Sequence, residues 1–218
     1  MLRMLEPELM EDAAQIIAYA NADFDKPHSD FIERLKAIVN MPDFSGKALD
    51  LGCGPGDISK RFATAYPLCS IDAVDGSKAM INYAIDSSIA RRTQVNFIHG
   101  KLPDVVLPKS SYDLIFSNSL LHHLPDPHML WRFIKDHTRS GSYIAVMDLL
   151  RPDTTEMAKT LVETHAANEP EILRHDFYCS LLAAFTLEEI HQQIIVTGLS
   201  LNIEQISDRH VFISGTLS

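Results

Sequence analysis

The chain has 218 residues, 46% of them apolar, and a formal net charge of −10. Such a composition builds one sizeable core with at most a small accessory piece, and it excludes a disordered chain. An acidic surface of this size repels phosphate backbones and argues against non-specific nucleic-acid binding.

No apolar run reaches the length of a membrane span, and the start "MLRMLEPELMEDAAQ" lacks the basic, apolar, small-residue order of a secretory signal. Cys53, Cys69 and Cys179 form no CxxC pair and no framework spacing, which points to a reducing, cytoplasmic setting. Neither a Cys/His cluster nor an HExxH spacing occurs, so no metal is expected. The oligomeric state is not written in the sequence.

In chain order, Leu9, Ala13, Ile16, Ile17 and Ala20 follow helical spacing. Pro27 interrupts, and "HSDFIERLKAIVN" resumes with Ser29 or Asp30 as N-cap. Pro42, Ser45 and Gly46 make a turn. From Lys47 short apolar strands alternate with helices: "KALDLGC", then "GDISKRFATAYP"; "CSIDAVDGS", then "SKAMINYAIDSSIARR". In that last helix the pair Arg91-Arg92 reads as a solvated end. "VNFIHGKL" and "YDLIFSNS" are the third and fourth strands, and "DPHMLWRFIKDHTRSG" is a helix capped by Gly141. "SYIAVMDLL" is the fifth strand. This alternation specifies βαβ units and a parallel sheet. Helical texture fills 152–185, and a capping box from Thr186 to Glu189 opens a helix ending at Gly198. "LNIEQISDR" and "HVFISGTLS" follow without a helix between them, which calls for an antiparallel hairpin.

Ligands in an open parallel sheet bind beyond the carboxyl ends of the strands. There the sequence places Asp50 with Gly52, Gly54 and Gly56, then Asp75, Gly100 with Lys101, Asn118, and Asp148. Three glycines alone fit a bare strand-to-helix turn, and Cys53 fits a small residue packed within it better than a nucleophile. Asp75, one strand later, stands where a carboxylate accepts from the hydroxyls of a ribose, and the pair points to a nucleoside cofactor. The acids Asp50 and Asp57 around the glycines suit a cationic ligand better than a pyrophosphate.

"LDLGCGPGD", "VDGSKAM" and "YDLIFSNSLLHHLPDP", in this order, resemble the class I S-adenosylmethionine-dependent methyltransferases, over about Lys47 to Leu150. The resemblance implies a Rossmann-like, doubly wound α/β sheet of seven strands, mostly parallel with an antiparallel last strand. N-terminal helices (1–46), a cofactor core (47–151), a helical insert (152–185) and a terminal helix and hairpin (186–218) complete one domain. It implies S-adenosylmethionine as cofactor, with Asp50, Gly52, Gly54 and Gly56 around the methionine portion, Asp75 on the ribose and Ser77 and Met80 at the adenine. Gly100 and Leu102 would contact the cofactor through backbone and packing, with Asn118 approaching it after strand four. Cys53, Gly76, Lys101 and Ser119 flank these positions; many relatives carry an acid where Lys101 stands.

Methyl transfer needs positioning and exclusion of water, and a base only when the acceptor carries a proton. His122, His123 and Asp148 are the candidates near the reacting atoms; a histidine there could equally cap the next helix. Tyr19 and Phe24 could form a lid, and Arg151, Arg174 and Tyr178 an acceptor pocket. The leading expectation is a small-molecule methyltransferase. RNA or protein acceptors, a nicotinamide-dependent oxidoreductase and a cofactor-binding protein without catalysis are the alternatives.

Overall fold

The computed structural model describes residues 1–6, 13–22, 24–87 and 95–217. Seven strands form one sheet: β1 (Lys47–Leu51), β2 (Ser70–Asp75), β3 (Val95–His99), β4 (Leu114–Asn118), β5 (Tyr143–Leu149), β6 (Asn202–Gln205) and β7 (His210–Thr216). Their order is β3-β2-β1-β4-β5-β7-β6. The first five pair in parallel, whereas β7 runs antiparallel to both β5 and β6. The chain therefore adopts a Rossmann-like fold with a reversed last strand.

Eight helices accompany the sheet among the described residues: α1 (Ala13–Asn21), α2 (Asp25–Val39), α3 (Asp57–Ala65), α4 (Lys78–Asp86), α5 (His128–Asp136), α6 (Thr155–His165), α7 (Glu171–Ala183) and α8 (Leu187–Thr197). Alternation along the strands divides the core. Ala48, Leu114 and Phe116 face Phe31 and Leu35 of α2 and Phe62 of α3. Leu49, Leu51, Ile115 and Val146 face Trp131 and Ile134 of α5 and Ile190 of α8. Strands buried on both faces explain the continuous apolar runs of the sequence.

Local chemistry sets several boundaries differently from the sequence pattern. Pro27 does not interrupt α2; it lies in the first turn, where a missing N–H costs no helical bond. The N-cap is Phe24, not Ser29 or Asp30. Helix α5 ends at Asp136, and its cap is His137, whose N–H returns to the carbonyls of Phe133 and Ile134. Gly141, at φ +88°, shapes the later turn into β5. Leu9 and the Arg91-Arg92 pair lie outside the described residues. The capping box is as the sequence predicts: Thr186 Oγ1 accepts from the Glu189 N–H, and Glu189 Oε2 from the Thr186 N–H. Helices α6 and α7 form the insert after β5, beside the carboxyl ends of the parallel strands. Among the described residues no helix is long and apolar enough to cross a membrane.

Candidate active site

The three glycines after β1 all take positive φ, yet each does a different job. A Cβ on Gly52 would stand 2.9 Å from that of Leu120, so this glycine lets the turn close on the loop after β4. Gly54 has nothing within 4 Å of the corresponding position and looks into open space. Gly56 is the N-cap of α3, and a Cβ there would meet the Phe97 ring at 2.7 Å. Its role is close packing of helix on strand; it does not line the cavity, contrary to the expectation drawn from spacing.

Two acids flank the turn. Asp50 is buried and accepts a bond from Ser59 Oγ at 2.5 Å. Burial pushes its carboxyl up to about 7 against the opposing pull of that hydroxyl. Asp75 accepts from the Gly54 N–H through Oδ2 and from the Ser77 N–H through Oδ1, both at 2.8 Å. The first bond fixes the glycine turn from the neighbouring strand end. Cys53 is buried, and burial followed by the Asp50 charge drives its thiol well above the usual range, as for a packed thiol.

A cavity of about 590 Å³ opens along this edge. Gly52, Gly54, Asp75, Gly76, Ser77, Met80, Gly100, Lys101, Leu102, Asn118 and Ser119 all line it. An adjoining recess of about 300 Å³ brings in Asp50 and Cys53. Asn118 Oδ1 is buried without a hydrogen-bond partner. Ser119 follows at φ +57°, a strained backbone for a residue with a Cβ. Met80 is buried at the start of α4, where Ser77 Oγ caps its N–H.

Beyond Ser119 the 3-10 turn Leu121–His123 presents two imidazoles. His122 Nδ1 lies 2.5 Å from Asp148 Oδ1, and both residues are buried. Asp148 also accepts from the N–H groups of Leu121 and Leu149, each at 2.7 Å. Burial disfavours the charge on either partner, but the pair overrides it: Asp148 is held below, and His122 above, the ordinary range. Glu6 completes the group, its Oε1 at 3.4 Å from His122 Nε2 and 3.2 Å from His123 Nδ1. Burial raises the Glu6 carboxyl, opposed chiefly by His122.

Glu6 has no signal in the sequence, because an extended strap has no periodicity. The strap is held by Arg3, which donates to the carbonyls of Ala183, His122 and Leu124 and stacks over the Phe185 ring at 3.8 Å. Gln15 of α1 donates to Asp176 of α7 at 2.8 Å. Tyr19, Phe24 and His28 form a ring stack with centroids 4.9 and 5.3 Å apart along the cavity wall. His28 Nδ1 lies 2.7 Å from Asp57, which also accepts from Arg61. Asp57 therefore anchors the N-terminal helices while also lining the recess beside Asp50.

Three acceptor candidates fall elsewhere. Arg151 donates to the Ala184 carbonyl and to Glu189 at 2.6 Å, locking the insert to α8. Arg174 and Tyr178 do not line the cavity, to which α7 contributes Leu173, His175, Asp176, Phe177, Cys179 and Ser180. Tyr178 packs instead among Ala158, Val162 and Leu181. His165, Arg209 and His210 take up the vacated wall. Burial and the Arg209 charge depress His210 to about 4, so it presents a neutral ring.

Comparison with known proteins places this geometry. Residues 48–141 match the family described as a methyltransferase domain. A trans-aconitate 2-methyltransferase of Mycobacterium tuberculosis (strain ATCC 25177 / H37Ra) is 36% identical over 101 residues, 46% of this chain and 36% of that protein. The enzyme of that name from Rhizobium rhizogenes (strain K84 / ATCC BAA-868) is 28% identical over 125 residues, 57% of this chain and 46% of its own length. The chain thus spans less than half the length of these curated relatives. The plantazolicin methyltransferase BpumL, in complex with SAH and a pentazolic desmethylPZN analog, superposes with a TM-score of 0.71 at 16% identity, covering 94% of this chain and 92% of that one. A SAM-dependent methyltransferase from Aquifex aeolicus gives 0.70 at 15%, over 96% and 100%. Residues 48–141 thus match a methyltransferase domain by sequence, and the chain shares its fold with solved methyltransferases.

Proposed function

We propose that the chain transfers a methyl group from S-adenosylmethionine to a small-molecule acceptor. The observation that carries this reading is the single cavity running from the Gly54–Asp75 cradle, past the orphaned Asn118 Oδ1, to His122 and His123. The residues fit the cofactor. Gly54 leaves space for close approach, Asp75 suits a ribose, Ser77 and Met80 an adenine, and the buried Asp50 and Asn118 oxygens an ammonium. Gly52, Gly76, Gly100, Lys101, Leu102 and Ser119 would complete the contact, with Cys53 as packing behind the turn. When bound, the cofactor supplies a methyl group already activated by a positive sulfur.

The chain's own residues supply position and dryness. Asp148 fixes the ring of His122, so that Nε2 faces the acceptor end together with His123 and Glu6. Tyr19 and Phe24 wall the cavity from the N-terminal side, and α7 closes it from the other; a dry site strengthens each polar contact within it. A dinucleotide is disfavoured because the first turn of α3, where its pyrophosphate would dock, carries Asp57 under His28. The enclosed wall and the acidic surface favour a small acceptor over RNA or protein. The trans-aconitate enzymes among the relatives make small carboxylic acids the first compounds to try.

Calorimetric titration with S-adenosylhomocysteine and with NAD tests the cofactor, and methyl uptake from labelled S-adenosylmethionine across a panel of carboxylic acids, phenols and thiols tests the acceptor. Binding of NAD alone, or no methyl uptake by any small molecule beside robust uptake by a cell-protein or RNA fraction, overturns the reading.

A further inference from the structure

We propose that Glu6, His122 and His123 form a binding site for a divalent transition-metal ion, zinc by the chemistry of the set, at the acceptor end of the cavity. One ligand atom from each residue falls within 4.8 Å of the other two. Glu6 Oε1 lies 3.4 Å from His122 Nε2 and 3.2 Å from His123 Nδ1. A four-coordinate zinc with bonds of roughly 2.0–2.1 Å spaces its ligand atoms about 3.3–3.4 Å apart, so both separations need almost no adjustment.

A second observation points to a ligand. The Glu6 side chain is only 9% exposed, yet its Oε1 takes no hydrogen bond although two ring nitrogens stand beside it. Its other oxygen accepts from Ser180 Oγ at 3.3 Å. A buried carboxylate oxygen left this way costs free energy that an ion between the three groups would return. The outer support for such an ion is already built. Asp148 holds His122 Nδ1 at 2.5 Å and is itself fixed by two backbone N–H groups. A carboxylate behind the ring sets the tautomer and aims Nε2 at a metal.

Two imidazoles and one carboxylate are borderline ligands that suit zinc, and three protein ligands leave a coordination position open, as in catalytic rather than structural sites. That position faces the cavity, where it would take an acidic oxygen or sulfur of the acceptor. This last use rests on the methyltransferase reading; the binding of the ion does not. The site departs from the expectation that no metal is needed, because its ligands come from an extended strap and a distant turn and share no sequence spacing.

The test uses the full chain stripped with a chelator. Zinc is titrated by calorimetry, and cobalt(II) by the visible bands that a four-coordinate site produces. One ion per chain is expected. Glu6→Gln and His123→Ala should each abolish the cobalt bands, and Asp148→Asn should weaken zinc by about 10- to 100-fold. S-adenosylhomocysteine affinity is measured on the same samples, which also reports that each variant is folded. Failure of zinc and cobalt to bind a chain that binds S-adenosylhomocysteine overturns the metal site and leaves the cofactor reading intact. Zinc binding without S-adenosylhomocysteine binding supports the site and overturns that reading. Wild-type metal affinity in both folded Glu6→Gln and His123→Ala assigns the ion elsewhere and also overturns the proposal.

Discussion

Strand β2 carries two acids with opposite fates, Asp72 buried and Asp75 partly exposed. Asp72, toward the amino end, is closed on all sides: Lys109 Nζ donates at 2.5 Å, Asn96 Nδ2 at 2.8 Å and Tyr112 Oη at 2.9 Å. Asp75, at the carboxyl end, is held by two backbone N–H groups and faces a cavity. Around it the pattern repeats, with unsatisfied oxygens on Asn118 and Glu6. The difference teaches how to separate structure from function in one strand. An acid that holds a fold consumes its hydrogen-bonding capacity on side chains, whereas one that serves a ligand is propped by backbone and keeps capacity in reserve.

The largest expected effect lies at the closed end. Asp72→Ala strands a half-buried ammonium and a buried phenol, and should cost roughly 3 kcal/mol of folding free energy in urea denaturation, with cofactor affinity of the folded fraction unchanged. A stability loss under 1 kcal/mol would erase the contrast. Next comes the glycine pair. Gly56→Ala drives a methyl into Phe97 and should destabilise by about 1–3 kcal/mol. Gly54→Ala meets no protein atom, so beyond the backbone strain of a Cβ at φ +52° its loss should appear in calorimetry with S-adenosylhomocysteine. Similar profiles for the two variants would mean that the glycines share one role.

Asp75→Ala should weaken S-adenosylhomocysteine by about 1–3 kcal/mol, with a smaller change in denaturation midpoint. Asp50 gives a subtler, pH-dependent signature. Its folded value near 7 lies above the ordinary 3.8, so between those limits the folded chain holds a proton that the unfolded chain has lost. Stability from this group falls as pH rises from 3.8 toward 7 and is level above it. Asp50→Asn should flatten that slope, and an unchanged slope would show that Asp50 ionises normally. The smallest effect on turnover belongs to Arg174→Ala, which should leave methyl transfer within about twofold because this half-buried side chain does not line the cavity. A large drop in turnover would return α7's outer face to the acceptor site.

Local signals made much of this legible. Strand alternation, the glycine spacing and the Thr186 capping box act over a few residues, and the sheet and the glycine turn they predict are those observed. Asp75 was readable because its distance from the glycines is set by one βαβ crossover. Other features needed tertiary context. Pro27 looks like a break until its place in the first turn of α2 is known. Arg151 reads as a free cation at a strand end, but the insert brings Ala184 and Glu189 against it. Arg174 looks available on paper, yet the cavity wall is built from its neighbours Leu173 and His175. Glu6 could not be found, since only the long-range clasp of Arg3 sets its position.

The reversed strand β7 has a consequence for how acceptor choice could change. Because it runs against β5, with Leu149 opposite His210, the start of β7 reaches the edge where the parallel strands end. The β6–β7 connection therefore delivers Arg209 and His210 into the pocket from a hairpin far along the chain from every cofactor residue. Insertions or exchanges at residues 206–209 would reshape one wall while leaving the nucleoside cradle untouched. Under the proposed function, the hairpin would be a modular dial for substrate range, adjustable in one short segment apart from the Gly54–Asp75 end of the cavity.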